Sequence, residues 1–298
     1  MSEAAPHHTR YSGQNCVNAW RAAEPRYTRS ERGKRVKTVR HNHFGGALLA
    51  AAAGLLAAVG LVVFLYAQPA QANFPGKPGK IAYAGEDGTD LVIYTIKTDG
   101  GGKRPLTATG ATNREPAYSP NGKRIAYAGY DGKDYEIYKI NAGGGGTRQL
   151  THNSKGDFDP AYSPSGKRIA YEGYDGNETE IYTIKVGGGS RLNVTDNSSD
   201  DYYPDYAPGG KRIAYTNNAG TDEEIYTINA GGGGTRQLTH NSTDDFYPSY
   251  SPSGKKIAYV YDATGTDGEI WTIQLNGDGK HQVTNNANND RNPYWGSQ

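Results

Sequence analysis

Five polar residues recur at a regular interval, each three residues before a proline. They are Asn113, Asp157, Asp201, Asp245 and Asp290. Asn and Asp accept hydrogen bonds from nearby backbone amides, so the first interpretation is a turn cap. If the repeats are arranged in a ring, these oxygen ligands converge on its central channel. Converging oxygen ligands suit a hard cation, so a Ca²⁺ ion bound in that channel is the alternative.

The next position breaks the regularity, because it holds three aromatic residues and two arginines. They are Arg114, Phe158, Tyr202, Phe246 and Arg291. If exposed, these side chains predict a channel mouth with an aromatic arc and a basic arc, suited to a peptide, protein or glycan. The competing interpretation buries the aromatic rings between sheets and pairs the arginines locally.

Signatures of catalysis are missing from the sequence. It contains no nucleophile elbow, zinc-protease helix or phosphate-binding loop. The acids repeat with the sequence period and show no odd pair, and Glu136, Glu180, Glu224 and Glu269 are expected to form cross-strand ion pairs with the basic start of each second strand. We therefore expect no enzyme activity, no catalytic residue and no protein-bound metal site.

The elements that position these residues come from a repeat of 44 residues. Its most regular part is the ten-residue stretch YSPSGKRIAY at Tyr162–Tyr171, and the central isoleucine recurs five times from Ile81 to Ile257. Each unit contains four short β segments separated by Ser-Pro-x-Gly, Asp-Gly and polyglycine turns. Four strands in about 40 to 45 residues predict one blade of a β-propeller.

The ends of the repeat region predict how the ring closes. The region starts with a second strand at Ile81 and ends with a first strand at Asn292–Trp295. One-plus-three pairing of these ends would complete the first blade and remove an open edge. The fold class is therefore all-β, a five-bladed propeller of four-stranded blades at residues 79–298, preceded by an N-terminal hydrophobic helix.

The units resemble the WD40-like repeats of the TolB-type (PD40) propeller family. The shared pattern is Pro-x-aromatic-Ser-Pro-x-Gly-Lys-x-Ile-Ala-aromatic, followed by Asp-Gly, an acidic-Ile-Tyr strand and a Leu-Thr pair, across residues 78–298. Tyr replaces the family's Trp in four units, and Glu stands where the family has Asp. The resemblance implies an exported propeller that commonly serves protein interaction.

Segments before the repeats predict export. Residues 1–46 are basic, residues 47–66 form an uncharged apolar stretch long enough to cross a bilayer, and residues 67–78 contain Ala70-Gln71-Ala72, a signal-peptidase pattern. Cleavage would leave Asn73 as the mature N-terminus, whereas retention would leave a membrane anchor. A start at Val36 would give a leader of ordinary length. Either way the repeats are expected outside the cytoplasm.

Charge and cysteine content narrow the partners further. Residues 73–298 carry 23 Lys and Arg against 28 Asp and Glu, a net charge of −5, so nucleic acid is not expected. The single cysteine, Cys16, precedes the repeats, which therefore contain no disulfide.

Three functions remain open after these observations. The first is a non-enzymatic scaffold that docks an envelope protein or peptide at the channel mouth. The second is a carbohydrate-binding propeller, favoured by the near-identical loops at residues 151–154 and 239–242. The third is a glycoside hydrolase or lyase, which needs two carboxylates about 5 to 9 Å apart.

Overall fold

The computed structural model describes residues 79–220, 222–265 and 267–295. Within them the chain forms 19 β-strands and no helix. Among these described residues, then, no helix is long and apolar enough to cross a membrane. The predicted leader or anchor at 47–66 and its cleavage region at 67–78 lie outside the described residues.

The strands form five antiparallel sheets in chain order, which confirms the predicted number of blades. The first sheet contains β1 (Lys80–Asp87), β2 (Asp90–Lys97) and β3 (Arg104–Pro105). The second contains β4 (Asn113–Tyr118), β5 (Arg124–Tyr130), β6 (Tyr135–Asn141) and β7 (Arg148–Gln149). The third contains β8 (Asp157–Tyr162), β9 (Arg168–Tyr174), β10 (Thr179–Lys185) and β11 (Leu192–Asn193).

The last two sheets repeat the same four-strand plan. The fourth contains β12 (Asp200–Tyr206), β13 (Arg212–Asn218), β14 (Glu224–Asn229) and β15 (Arg236–Gln237). The fifth contains β16 (Asp244–Tyr250), β17 (Lys256–Asp262), β18 (Glu269–Gln274) and β19 (His281–Gln282). Each sheet is a simple meander, as the short turns of the repeat require.

Apolar side chains of each sheet pack against the next sheet. One cluster joins Ala126, Ile137 and Leu150 of the second sheet to Ile169 and Tyr171 of the third. Because both faces of an inner sheet are covered, its strands carry consecutive rather than alternating buried residues. This packing explains why the Ile-Ala-Tyr core of the repeat is invariant in all five units.

A β-bulge interrupts each first strand between its polar start and its apolar end. The register of β8 against β9 shifts between Phe158 and Ala161, and Asp159 in the bulge has a φ of 47°. The same left-handed backbone occurs in every unit, at Glu115, Asp159, Tyr203, Tyr247 and Asn292. The bulge turns one side chain per sheet out of the alternation of the strand.

The predicted closing strand does not form. Residues 291–295 carry no strand assignment and the first sheet has three strands. Ile81 is 46% exposed and Val283 is 55% exposed, whereas their counterparts Ile169 and Val194 are buried. Asn292 keeps the bulge conformation, but the segment after it does not pair with β1. The one-plus-three closure was therefore wrong for this structure.

We expect Ile81→Ala to lower the free energy of unfolding by less than about 1 kcal/mol, because the side chain is already largely solvated. The matched control is Ile169→Ala, which empties a fully buried site and should cost about 2 to 5 kcal/mol. Urea unfolding measures both. Equal costs would show that residues 292–295 cover Ile81 in solution.

Candidate functional site

Four of the five polar residues that precede the prolines are buried, and Asp290 is partly exposed. Asp157, Asp201 and Asp245 have no exposed surface. Each accepts a hydrogen bond of 2.6 to 2.8 Å from the asparagine four residues earlier, and Asp290 does the same: Asn153 to Asp157, Asn197 to Asp201, Asn241 to Asp245, Asn286 to Asp290. In the second sheet, Asn113 Nδ2 donates to the carbonyl of Ala111 at 2.7 Å. These bonds join the Asp side chains to Asn side chains, and Asn113 to a backbone carbonyl, rather than to the backbone N–H groups of a turn cap. The turn cap and a channel Ca²⁺ both stay predictions.

The same asparagines connect neighbouring sheets. The backbone N–H of Asn153 donates to Glu136 Oε1 at 2.6 Å, while its side chain donates to Asp157 of the following sheet. Equivalent backbone bonds of 2.6 to 2.8 Å reach Glu180, Glu224 and Glu269. The groups that end on Asp157, Asp201 and Asp245 therefore fasten one blade to the next, whereas Asp290 lies outside the strands.

The predicted cross-strand ion pairs of these glutamates were wrong. In the β9–β10 hairpin Glu180 lies opposite Gly173, whereas Arg168 lies opposite Lys185 at the other end. The antiparallel register thus separates the basic start of the second strand from the acidic start of the third. Arg168 instead donates to Thr183 Oγ1 at 2.8 Å and to the carbonyl of Ser190 at 2.9 Å.

The five predicted mouth residues do not form one exposed surface. Tyr202 and Phe246 are buried, and Phe158 is half-buried with its ring centroid 5.0 Å from that of Tyr135. Arg114 Nη2 donates to the hydroxyl of Tyr135 at 2.7 Å, so it is held locally. Arg291 is exposed and its guanidinium carbon lies 5.7 Å from the centre of the Phe246 ring.

The bulge residues, one position further along, do come together. We call Glu115, Asp159, Tyr203 and Tyr247 the axial cluster. The backbone N–H of Asp159 donates to Glu115 Oε2 at 2.8 Å across two sheets. The rings of Tyr203 and Tyr247 lie 4.0 Å apart between centroids. First strands of neighbouring sheets contact one another, so these side chains meet around the centre of the ring.

A lone acid on a second strand completes this cluster. Glu172 is buried, its Oε1 accepts the backbone N–H of Tyr203 at 2.7 Å, and its carboxyl is hydrogen-bonded to that of Asp159. The corresponding residues of the other units are Ala84, Ala128, Thr216 and Val260. Glu172 is therefore the only ionisable residue at this position of the five repeats.

Electrostatics in this region favours protonated carboxyl groups. Burial, and then the charges of Glu115 and Glu172, raise the pKa of Asp159 well above its usual range. Burial also raises the pKa of Glu115, which Arg114 partly offsets. Nearby Glu223 has its pKa raised to about 8 by burial and by Asp244, Glu172 and Asp200. The axial region is thus poorly compensated for negative charge and would favour a positively charged ligand group.

The sequence interpretation that the acids contain no odd pair was therefore wrong. Asp159 and Glu172 come from different columns of the repeat and meet through the bulge and the hairpin register. The sequence did contain one sign of this pair: Glu172 stands at a repeat position that is Ala, Thr or Val in the other units. The bulge itself, which selects position 159 rather than 158 for the centre, has no separate sequence signature.

The five antiparallel sheets, four of them with four strands and one with three, define the class of this protein as a β-propeller. Residues 157–298 match the family model of the TolB beta propeller domain, PD40. The predicted resemblance to TolB-type repeats is confirmed over that range. No curated protein matches the chain at a significant level.

Solved structures share the fold. A structure described as TolB from Agrobacterium tumefaciens is 22% identical, with a TM-score of 0.63 over 72% of this chain and 79% of that one. TolB from Acinetobacter baumannii is 24% identical with a TM-score of 0.66, over 76% of this chain but only 56% of the other. An oligogalacturonate lyase in complex with manganese is 12% identical, with a TM-score of 0.56 over 72% of this chain and 64% of that one. A lyase is among the proteins that share this architecture, so the fold alone does not assign a function.

Proposed function

We propose that this protein is a non-enzymatic, extracytoplasmic binding scaffold that docks a protein or peptide at the axial cluster. This proposal rests on one observation: side chains from a repeat position that varies between the units come together in the structure. Glu115, Asp159, Tyr203 and Tyr247 occupy one column, yet they change from acid to aromatic around the ring. A purely structural column would repeat its residue, as the isoleucines of the core do.

The chemistry of the cluster favours a segment that presents Lys or Arg beside an apolar group. Burial raises the pKa values of Glu115 and Asp159, so a Lys or Arg of a partner placed beside them would favour their ionised forms. The Tyr203–Tyr247 pair supplies an aromatic surface. Tyrosine is enriched among residues that dominate binding energy. The TolB match over residues 157–298 and the predicted export segment support the envelope location.

Catalysis has less support from this geometry. Asp159 and Glu172 are in direct hydrogen-bond contact, whereas glycoside hydrolysis requires carboxyl groups about 5 to 9 Å apart. The Asp159–Glu172 pair therefore does not offer the separation that the hydrolase or lyase alternative needs. Carbohydrate binding is favoured by a different feature, a polar cavity at one end of the fourth sheet.

We expect Tyr247→Ala to weaken partner binding at least tenfold, because it removes half of the aromatic surface of the cluster. The partner would be captured from envelope extract of the source cells with the full chain, and its affinity measured after identification. Tyr138→Ala is the matched control, since Tyr138 lies on the third strand and bonds Gln149 within its own sheet at 3.0 Å. Equal affinities for wild type and Tyr247→Ala would rule out the axial cluster as the docking site.

A further inference from the structure

A polar cavity of about 400 Å³ opens at one end of the fourth sheet. It lies between the β13–β14 hairpin and the loop that follows β15. The side chains that give it chemical character are Asn217, Asp222, Glu224, Tyr226, Gln237 and His240. None of them belongs to the axial cluster.

The hairpin beside the cavity differs in sequence from those of the second and third sheets. In the third sheet the hairpin begins Tyr174-Asp175, and the Asp175 carboxylate accepts the backbone N–H of Asn177 at 2.7 Å. The second sheet has the same Tyr-Asp pair. The fourth sheet has Asn218-Ala219 instead, and Ala219 lines the cavity. Ala219 thus stands beside the cavity where the second and third sheets have an aspartate.

Glu224 lines this cavity with an unused acceptor. The residue is 7% exposed, its Oε1 accepts the N–H of Asn241 at 2.6 Å, and its Oε2 has no hydrogen-bond partner. The equivalent oxygens of the other sheets are all occupied: Glu136 by Asn153 Nδ2, Glu180 by Thr195 Oγ1, Glu269 by Thr284 Oγ1. A buried carboxylate oxygen without a donor is costly, so a ligand donor is the simplest compensation.

The lining selects the chemical class of the ligand. Counting Asn241, the described residues that line it present two carboxylates, three carboxamides, an imidazole and a tyrosine ring, but no Lys or Arg, so an anion would be poorly held. Three metal-ligating acids within 4.8 Å of one another occur, in the described residues, at Asp131, Asp134 and Glu136 and not here. The volume also far exceeds the roughly 30 Å³ share of one water molecule. A compact molecule with several hydroxyl donors fits these conditions.

We infer that this cavity binds a neutral sugar residue, and that the buried Glu224 side chain turns on binding so that Oε2 accepts a hydrogen bond from one of the sugar hydroxyl groups. Asp222 and Gln237 supply further hydrogen-bonding groups, and Tyr226 supplies an apolar ring for the carbon face of the sugar. The site is separate from the docking surface proposed above and does not depend on it.

The test is ligand-observed NMR on the full chain with glucose, galactose, mannose and N-acetylglucosamine. At least one sugar should bind, and Glu224→Gln should weaken it tenfold or more, because an amide N–H₂ replaces the free acceptor. Ala219→Asp, which restores the residue of the second and third sheets, should weaken it as well. Thermal melting verifies that both variants are folded.

Matched controls separate the site from its alternatives. Glu136→Gln makes the same change in the second sheet, and Asp159→Asn alters the axial cluster; both should leave sugar binding unchanged. The inference is overturned if wild type binds none of the four sugars, if Glu224→Gln binds as wild type, or if Glu136→Gln loses binding equally. Displacement of the sugar by millimolar calcium or methylammonium would also overturn it, since the site would then select cations.

Discussion

Between pH 5 and pH 9 the protein should lose at least about 3 kcal/mol of its free energy of unfolding. The loss arises from carboxyl groups that are protonated in the folded protein and ionised in the unfolded chain. Burial raises the pKa of Asp157 and Asp245 to about 8 and that of Asp201 to about 7. Burial and neighbouring acids raise that of Glu223 to about 8.

The sign follows from proton binding. Between about pH 4 and pH 8 the native state holds protons that the unfolded chain has released, so stability decreases as pH rises through this window. The stabilisation is fully present below the ordinary carboxyl pKa and is lost once pH exceeds the raised values. One pKa unit corresponds to about 1.4 kcal/mol. The four raised pKa values therefore give a large pH-dependent loss of stability even if each is smaller in solution.

Urea unfolding at pH 5, 7 and 9 measures this effect directly. Asp245→Asn should flatten the profile, because the amide keeps the hydrogen-bonding shape and cannot ionise. Asp131→Asn should leave the profile between pH 5 and 9 unchanged, since turn amides lower the pKa of Asp131 and it is ionised throughout. A midpoint that is constant or rises from pH 5 to pH 9 would contradict the assignment of buried, protonated acids.

The sequence predicted most of the fold because its information is local. Ser163-Pro164-Ser165-Gly166 specifies a turn, and the structure closes it with a 2.8 Å bond from the N–H of Gly166 to the carbonyl of Ser163. Repetition then fixed the number of sheets. The closing strand was predicted wrongly: residues 291–295 carry no strand assignment, and Ile81, which Trp295 was expected to cover, is 46% exposed.

The candidate site was predicted less well because it depends on register and on the bulge. Asn113 and its counterparts were placed at the channel mouth, yet the bulge moves the next-but-one residue to the centre instead. The partners of Glu180 depend on which end of a hairpin it occupies, and this required the strand pairing. The contact of Asp159 with Glu172 joins two sequence columns that no spacing rule connects.

Asp159→Asn should stabilise the protein and at the same time impair its binding. The substitution removes the cost of burying this ionisable carboxyl beside Glu115 and Glu172, so we expect a higher free energy of unfolding at pH 8. Asparagine tolerates the left-handed backbone at this position, where φ is 47°. If the cluster recognises a basic group, the same change should weaken partner binding at least tenfold.

This opposite movement of stability and affinity distinguishes a functional charge from a structural one. A structural carboxylate would cost stability when neutralised, whereas a residue retained for binding gives stability back. Urea midpoints and partner affinity, measured on the same preparations, provide both values. Asp131→Asn, at an exposed position, is the control and should change neither the affinity nor the relation between affinity and stability. A destabilised Asp159→Asn with full affinity would assign Asp159 to the architecture of the ring and remove the axial cluster from the binding mechanism.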